Sequence, residues 1–206
     1  MVKSSSKIRV GVLISGSGTN LQTIIDRSAA GKLDAEVVCV ISNRADAFGL
    51  QRAKKHGIAA LHLDHKSYSG RQEYDTALVK ELKSFNVDLV VLAGFMRIVT
   101  PVLLEAFPNR VMNIHPALLP AFPGLDAQKQ ALDYGAKISG CTVHFVDAGT
   151  DTGPIILQAA VPVMEDDTVE TLSGRIHVEE HRMYPAAIQL FAEGRLTVEG
   201  RKVRIS

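Results

Sequence analysis

Two polar side chains near the middle of the chain, Asn113 and His115, are of types that take part in catalysis, and they lie two residues apart. They interrupt a short apolar run that Pro116 ends, and residues two apart on a strand point to the same face. The amide and the imidazole would therefore project together from a strand end, where such a pair can stabilise an oxyanion and donate a proton. The alternative is a histidine satisfied inside the core, which is commoner for an isolated histidine.

A loop at residues 147–154, rich in Asp and Gly, offers a carboxylate at Asp151 among small residues. A carboxylate close to an imidazole raises the pKa of that histidine and keeps it cationic near neutral pH. The same composition is also typical of ordinary turns. Taken alone, this loop does not predict a catalytic group.

The segment Gly16-Ser17-Gly18-Thr19-Asn20 follows an apolar run and opens a predicted helix. Backbone N–H groups and the helix dipole at such a place suit a phosphate. A dinucleotide fingerprint needs a third glycine where Leu21 stands, and no Walker lysine follows. The loop therefore favours a phosphate over a dinucleotide. An equally weighted alternative is a tight turn in which Thr19 or Asn20 caps the helix.

The sequence His177-Val178-Glu179-Glu180-His181 matches H-x-x-E-H, a zinc-peptidase pattern. Patterns of five residues arise easily by chance, and no strong third zinc ligand stands out in the sequence. A zinc-dependent hydrolase using His177, Glu180 and His181 is therefore kept as an alternative. A second alternative is a non-catalytic nucleotide-binding module that uses only the loop at residues 16–20.

The first half of the chain alternates short apolar runs with amphipathic segments. Strands are predicted at residues 8–15, 35–42, 58–63, 87–93 and 111–115, and helices at 20–30, 47–56 and 70–85. Strand and helix alternation with short links predicts right-handed crossovers and a parallel sheet. Ligands of such sheets bind at the carboxyl ends of the strands.

The second half has a different pattern. It predicts a helix at residues 127–134, two antiparallel strands at 137–146 and 155–163, a helix at 168–192 kinked or broken at Pro185, and a surface hairpin at 196–205. Residues 1–6 are predicted to be a mobile tail. The predicted fold class is α/β, a Rossmann-like, mostly parallel twisted sheet with flanking helices that becomes mixed toward the C-terminal half.

Length and composition limit the class of protein. The chain has 206 residues, and 23 basic against 22 acidic side chains give a formal charge of +1. That balance argues against nucleic acid or an acidic membrane as the main partner. Two cysteines in apolar runs and no recognisable signal peptide predict a cytoplasmic protein. Near-neutral charge sets no barrier to self-association, so monomer and homodimer both stay open.

Six segments together resemble one family, the glycinamide ribonucleotide transformylases, which are folate-dependent phosphoribosylglycinamide formyltransferases of purine synthesis. The resemblance covers residues 8–192 in order. The segments that carry it are VLISGSGTNLQ, ISNRADAFGL, VVLAGFMRIV, NIHPALLPAFPG, GCTVHFVDAGTDTGPIILQ and EEHRMYPAAIQLF. It implies the formyltransferase fold as a single domain over residues 1–206, with a nucleotide-binding lobe at 8–110 and a folate-binding, catalytic lobe at 111–206.

The resemblance also implies a set of site residues. The catalytic residues would be Asn113, His115 and Asp151. The phosphoribosylglycinamide substrate would contact Thr19, Asn20, Leu21, His177, Val178, Glu179 and Glu180. The folate would contact Arg71, Met96, Arg97, Ile98, Val99, Asn113, Asp147, Ala148, Gly149, Thr150 and Asp151, with Arg71 meeting its anionic glutamate tail.

The implied reaction transfers the formyl group of 10-formyltetrahydrofolate to the glycinamide amine. Asn113 and His115 would stabilise the oxyanion, and Asp151 would orient His115 and relay a proton through a water molecule. No metal and no ATP are implied, because the formyl group is already activated on the folate. We expect the length to exclude relatives with extra domains, namely methionyl-tRNA formyltransferase and formyltetrahydrofolate hydrolase.

Overall fold

The computed structural model of the chain describes residues 7–206, and within them nine strands form one sheet. The strands are β1 (Ile8–Ile14), β2 (Ala35–Ser42), β3 (Ala59–His62), β4 (Leu89–Leu92), β5 (Val111–His115), β6 (Ile138–Phe145), β7 (Ile155–Pro162), β8 (Leu196–Glu199) and β9 (Lys202–Ile205). The helices are α1 (Thr19–Ala29), α2 (Phe48–Lys55), α3 (Arg71–Ser84), α4 (Pro101–Ala106), α5 (Ala127–Tyr134) and α6 (Val169–Ala192). The tail predicted at residues 1–6 lies outside the described residues.

The sheet order is β3-β2-β1-β4-β5-β6-β7-β9-β8. Strands β1 to β5 are parallel, whereas β6 runs antiparallel to both β5 and β7. The predicted α/β fold class, mostly parallel and then mixed, is confirmed. The hairpin of β8 and β9 extends the sheet at one edge, since β9 pairs in parallel with β7.

Helices cover both faces of the parallel strands, which explains the continuous apolar runs in the sequence. All four residues of β4 are buried. One core layer lies between the sheet and helices α1, α2 and α6. The other lies between the sheet and helices α3 and α4. Polar groups are therefore left for the strand ends, where the loops meet.

The sequence predicted that helix α6 is kinked or broken at Pro185; no break occurs, and the helix runs for 24 residues through it. A proline inside a helix costs a hydrogen bond and a steric clash, yet here its side chain is buried with Tyr184 and Ile188. The Tyr184 hydroxyl lies 2.8 Å from the Leu92 carbonyl and 2.9 Å from that of Met112, so its one hydrogen is shared between the two acceptors. Packing against the ends of β4 and β5 therefore outweighs the local preference.

The start of α1 also differs from the prediction. Neither Thr19 nor Asn20 caps the helix; Gly18 takes the N-cap position with φ 70° and no side-chain cap. A positive φ is inexpensive only for glycine, which explains the residue type. The first N–H groups of α1 are therefore not bonded by a capping side chain.

Helix α6 is the longest helix in the described part of the chain, and its charged residues interrupt its apolar face. Over residues 7–206, no helix has the length and hydrophobicity that crossing a membrane requires.

Candidate active site

A cavity of about 730 Å³ opens at the carboxyl ends of β1, β4 and β5. Its walls come from the loops that follow those strands, from the loop at residues 147–151 and from the middle of α6. The predicted site residues on its wall are Thr19, Asn20, Met96, Arg97, Ile98, Val99, Asn113, His115, Asp147, Gly149, Thr150, Asp151, His177 and Glu180. Five others lie outside the wall: Leu21, Arg71, Ala148, Val178 and Glu179.

Three of the five outlying residues have clear local reasons for their positions. The Leu21 side chain is fully buried on the core face of α1. Val178 is exposed on α6, and Glu179 pairs with Arg182 at 2.6 Å on the outer surface of that helix. Helical geometry therefore brings His177 and Glu180, three residues apart, to the cavity and turns the two residues between them away.

His115 and Asp151 form an ion pair at the base of the cavity. Nδ1 of His115 lies 3.3 Å from Oδ2 of Asp151, and its Nε2 lies 2.8 Å from the Phe122 carbonyl oxygen. A carboxylate and a carbonyl both only accept hydrogen bonds, so a doubly protonated imidazolium satisfies both partners. The histidine is 4 % exposed, so little water competes for either contact.

Asp151 is held in place by its backbone and by two further groups. Its φ is 54°, an uncommon conformation that Asp and Asn tolerate better than most residues. The Gly124 N–H donates to Oδ2 at 2.8 Å. Burial by itself raises the pKa of Asp151, but the nearby His144, the hydrogen bond from the Gly124 N–H and the positive charge of His115 bring it below the ordinary value of 3.8. The carboxyl group is therefore ionised at neutral pH.

His144 completes this cluster and was not identified from the sequence. Its Nε2 lies 3.2 Å from the Asn113 amide nitrogen and 3.7 Å from Oδ1 of Asp151. Its Nδ1 lies 2.9 Å from the Phe145 carbonyl, to which it donates. The observation that identifies His144 is the strand register, since Asn113 pairs with His144 and His115 with Thr142. That pairing can be read only once β6 is known to run antiparallel to β5.

The loop after β5 is fastened to β6 and β7 through Thr142. Its hydroxyl donates to the Ala117 carbonyl at 2.6 Å and accepts from the Leu119 N–H at 3.0 Å. The Gln158 amide donates to the same hydroxyl and to the Leu119 carbonyl, each at 2.9 Å. These bonds position the segment that carries the Phe122 carbonyl against His115.

The start of α1 and the middle of α6 meet at the opposite side of the cavity. The Asn20 amide donates to Oε2 of Glu180 at 2.9 Å, and His177 Nε2 lies 3.9 Å from the same oxygen. Glu180 is 4 % exposed. Burial raises the pKa of the Glu180 carboxyl above 4.5, although the Asn20 hydrogen bond and the charge of His177 oppose the shift.

Replacing Glu180 with glutamine is expected to raise Tm at pH 8 by about 2–4 °C, the shift that about 1 kcal/mol produces in a chain of this size. Ionising a buried carboxyl is unfavourable, so a carboxyl whose pKa is raised in the folded protein reduces the stability most when the pH exceeds that pKa. At pH 4, below the ordinary value of 4.5, the difference should disappear. Thermal melts at both pH values, with exposed Glu105→Gln as control, test this; a variant that melts at or below wild type at pH 8 contradicts it.

The two histidines of the H-x-x-E-H pattern stack on α6. The rings of His177 and His181 are 6.2 Å apart and inclined by 7°. Burial and the charge of His177 lower the pKa of His181. Over residues 7–206, no three His, Cys, Asp or Glu side chains come together in an arrangement that could hold a metal ion. The geometry therefore gives the zinc interpretation no support.

An exposed apolar strip forms another wall of the cavity. Met96 is 66 % and Ile98 is 55 % exposed, and both line the cavity, where apolar side chains can pack against an apolar part of a ligand. The Met96 N–H donates to the Ser15 hydroxyl at 2.9 Å, which donates to Oδ1 of Asn43 at 2.6 Å. Arg97 lies over the Tyr74 ring, 5.0 Å from its centre. The strip is therefore fixed in place before any ligand arrives.

Comparison with known proteins gives one consistent result. Residues 8–188 match the family described as formyl transferase. The chain is 46 % identical over 189 residues to the phosphoribosylglycinamide formyltransferase of Escherichia coli, covering 92 % of this chain and 89 % of that protein. It is 50 % identical over 193 residues to the trifunctional purine biosynthetic protein adenosine-3 of Drosophila melanogaster, but those residues span only 14 % of that protein against 93 % of this chain.

The fold comparison agrees. A crystal structure of glycinamide ribonucleotide transformylase 1 from Symbiobacterium toebii superposes with a TM-score of 0.97 at 61 % identity, covering 100 % of this chain and 97 % of the other. The phosphoribosylglycinamide formyltransferase of Coxiella burnetii superposes with a TM-score of 0.91 at 40 % identity, covering 96 % and 93 %.

Proposed function

This chain belongs to the formyl transferase family, and we propose that it transfers the formyl group of 10-formyltetrahydrofolate to the amine of N1-(5-phosphoribosyl)glycinamide. The observation that carries the proposal is the convergence of Asn113, His115 and Asp151 on one cavity wall, with the loop at residues 16–20 on the same cavity. The products are formylglycinamide ribonucleotide and tetrahydrofolate, in purine (IMP) biosynthesis.

Residues of the cavity divide between the two substrates in this proposal. The N–H groups at the start of α1 hold the phosphate, and Glu180 with His177 contacts the ribose or glycinamide end. Met96 and Ile98 pack against the folate. The folate is thus bound by the lobe at residues 111–206 together with part of the lobe at 8–110. The two lobes form one domain around a shared cleft. The assignments of Leu21, Arg71, Ala148, Val178 and Glu179 stay predictions from the resemblance, because the geometry does not place them on the wall.

The proposed reaction is a nucleophilic acyl transfer. The amine nitrogen forms a bond to the formyl carbon, and the formyl C=O becomes an oxyanion. The Asn113 amide and the His115 imidazolium donate to that oxygen, and each such donor in a site shielded from water contributes roughly 10²–10³ in rate. The bond from the formyl carbon to the folate nitrogen then breaks, and the proton released by the amine ends on that nitrogen.

We assign Asp151 two tasks, and its contacts with His115 support both. Its carboxylate, 3.3 Å from Nδ1, orients the ring and stabilises the imidazolium. Through a water molecule it also carries the proton from the amine toward the folate nitrogen. The oxyanion takes the place of the Phe122 carbonyl at Nε2, 2.8 Å away, so the segment at residues 117–124 adjusts when both substrates are bound.

The proposal requires two small molecules, a nucleotide and a folate, and neither metal nor ATP. The balanced charge of the chain gives no support for nucleic acid as a partner. We assign the reaction to the cytoplasm, and the oligomeric state, monomer or homodimer, does not enter the proposed chemistry.

The test is an assay with the purified chain, glycinamide ribonucleotide and 10-formyltetrahydrofolate, following tetrahydrofolate and formylglycinamide ribonucleotide together. Equal amounts of both products are expected, with no change on adding EDTA and no need for ATP. If tetrahydrofolate and free formate form without the formylated nucleotide, the chain is a hydrolase. If neither product forms, the proposal is wrong.

A further inference from the structure

The loop at residues 16–18 is supported from behind by helix α2, and we propose that Arg52 of that helix is a positioning residue for the phosphate of the nucleotide substrate. This inference rests on the proposed function, since it concerns the same loop. Arg52 does not line the cavity, so it acts through the loop and not on the reacting atoms. Its expected effect is on the binding of one substrate only.

Two loop carbonyls are bonded to α2. The Gly16 carbonyl accepts from the Gly49 N–H at 3.1 Å, and the Ser17 carbonyl accepts from Nε of Arg52 at 2.9 Å. A carbonyl oxygen facing a phosphate would repel it, whereas an N–H group attracts it. By engaging these two oxygens, α2 keeps them from turning into the cavity.

The loop and the helix touch through bare backbone. A Cβ on Gly49 would lie 2.4 Å from Cδ1 of Ile14 and 3.5 Å from Cα of Gly18. A Cβ on Gly18 would lie 2.9 Å from Cα of Gly49, and Gly18 also needs its φ of 70°. A side chain at Gly18 would therefore meet the backbone of α2, and the loop packs this closely against the helix only because both positions are glycine.

The Arg52 guanidinium is itself held on three sides. Besides the Ser17 carbonyl, it donates through Nη1 to Oε1 of Gln22 on α1 at 3.2 Å. Its Cζ lies 4.9 Å from the centre of the Phe48 ring, within the range of a cation–π contact. One side chain therefore connects α2, the loop and the first turns of α1.

The charge of Arg52 matters because cationic side chains are scarce on the cavity wall. Among the described residues that line it, Arg97 is the single lysine or arginine, and it lies over Tyr74 on the apolar strip. In this proposal the loop at residues 16–18 attracts the phosphate through its N–H groups, the helix dipole and the guanidinium bonded behind it.

The test replaces Arg52 with methionine, which keeps an unbranched apolar stem but loses the charge and the donors. We expect KM for glycinamide ribonucleotide to rise about tenfold, as for the loss of a hydrogen bond from a charged group. Neither kcat nor KM for 10-formyltetrahydrofolate should change. Arg52→Lys should recover part of the loss, because a lysine keeps the charge and one donor to the Ser17 carbonyl.

Arg44→Met is the matched control. It removes one positive charge from the connection between β2 and α2, but the Arg44 guanidinium bonds to Asp46 at 2.8 Å and is 59 % exposed. Equal nucleotide KM values for the Arg52 and Arg44 variants overturn the proposal. So does a fall in kcat or an equal rise in both KM values, since either indicates a general structural role. If Arg52→Met does not fold, Arg52→Lys decides on the same criteria.

Calorimetric titration with ribose 5-phosphate separates this inference from the proposed function. Wild type should bind the probe, and Arg52→Met should bind it about tenfold more weakly, whether or not the chain proves to be a formyltransferase. Absence of binding to wild type, or equal affinity in the two proteins, overturns the role of Arg52. Failure of the product assay with a normal titration overturns only the function.

Discussion

Replacing Asp151 with asparagine is expected to lower kcat by about 10³-fold, within the range that general acid–base groups contribute. Asparagine keeps the shape of the side chain and an oxygen that can accept from the Gly124 N–H, now 2.8 Å away. It also tolerates the left-handed backbone at this position, where φ is 54°. What it removes is the negative charge 3.3 Å from His115 Nδ1 and the group that accepts the proton.

The measurement is steady-state kinetics with both substrates varied, together with direct nucleotide titration. The affinity for the nucleotide should not change, because Asp151 lies by His115 and not by the Asn20 and Glu180 pair. Exposed Asp133→Asn, which removes a carboxylate paired with Lys129 on α5, should leave kcat unchanged. Turnover of Asp151→Asn at the wild-type rate would show that the carboxylate neither relays a proton nor sustains the imidazolium.

Stability provides a second readout for Asp151. A carboxyl with a lowered folded pKa contributes stability above its ordinary value of 3.8 and loses it as pH falls through the lowered value. Asp151→Asn should therefore be less stable than wild type at pH 7, and this difference should shrink below about pH 4, near the usual pKa of aspartate. The loss of activity, in contrast, should be present at neutral pH in fully folded protein.

Replacing Asn113 with alanine is expected to lower kcat/KM by roughly 10²–10³, the usual cost of one oxyanion donor. The amide nitrogen lies 3.2 Å from Nε2 of His144, which leaves its second N–H for the cavity. Because an oxyanion develops only in the transition state, kcat should fall while KM for either substrate changes little.

The variant Asn113→Asp tests the same N–H donor while keeping the size of the side chain. The carboxylate has nearly the size of the amide but no N–H at neutral pH, so it should be at least as inactive as Asn113→Ala. Gln72→Ala, which removes an exposed amide on α3, serves as the control and should match wild type. If the aspartate variant keeps its rate, stabilisation of the oxyanion by Asn113 is wrong, and single-turnover measurements of the chemical step would show it directly.

Much of the fold could be predicted because its signals are local. Buried parallel strands are apolar along their whole length, as in the four buried residues of β4, and Gly31 and Gly57 follow the ends of α1 and α2. The prediction was wrong where tertiary packing acts against a local preference. The predicted break at Pro185 does not occur, because its neighbours pack on the sheet. Gly18, and not Thr19 or Asn20, takes the N-cap position of α1, where its backbone lies against Gly49.

The sequence by itself determined that Asn113 and His115 point to the same face of a strand, because a strand repeats every two residues and both residues belong to one short segment. It also determined a glycine loop that can precede a helix. Only the tertiary structure brought Asp151 and His144 to that pair, through the antiparallel register of β5 and β6. Likewise Asn20 meets Glu180 across 160 residues. Local patterns arise from backbone geometry, whereas contacts between distant segments depend on strand order and packing, which no short segment contains.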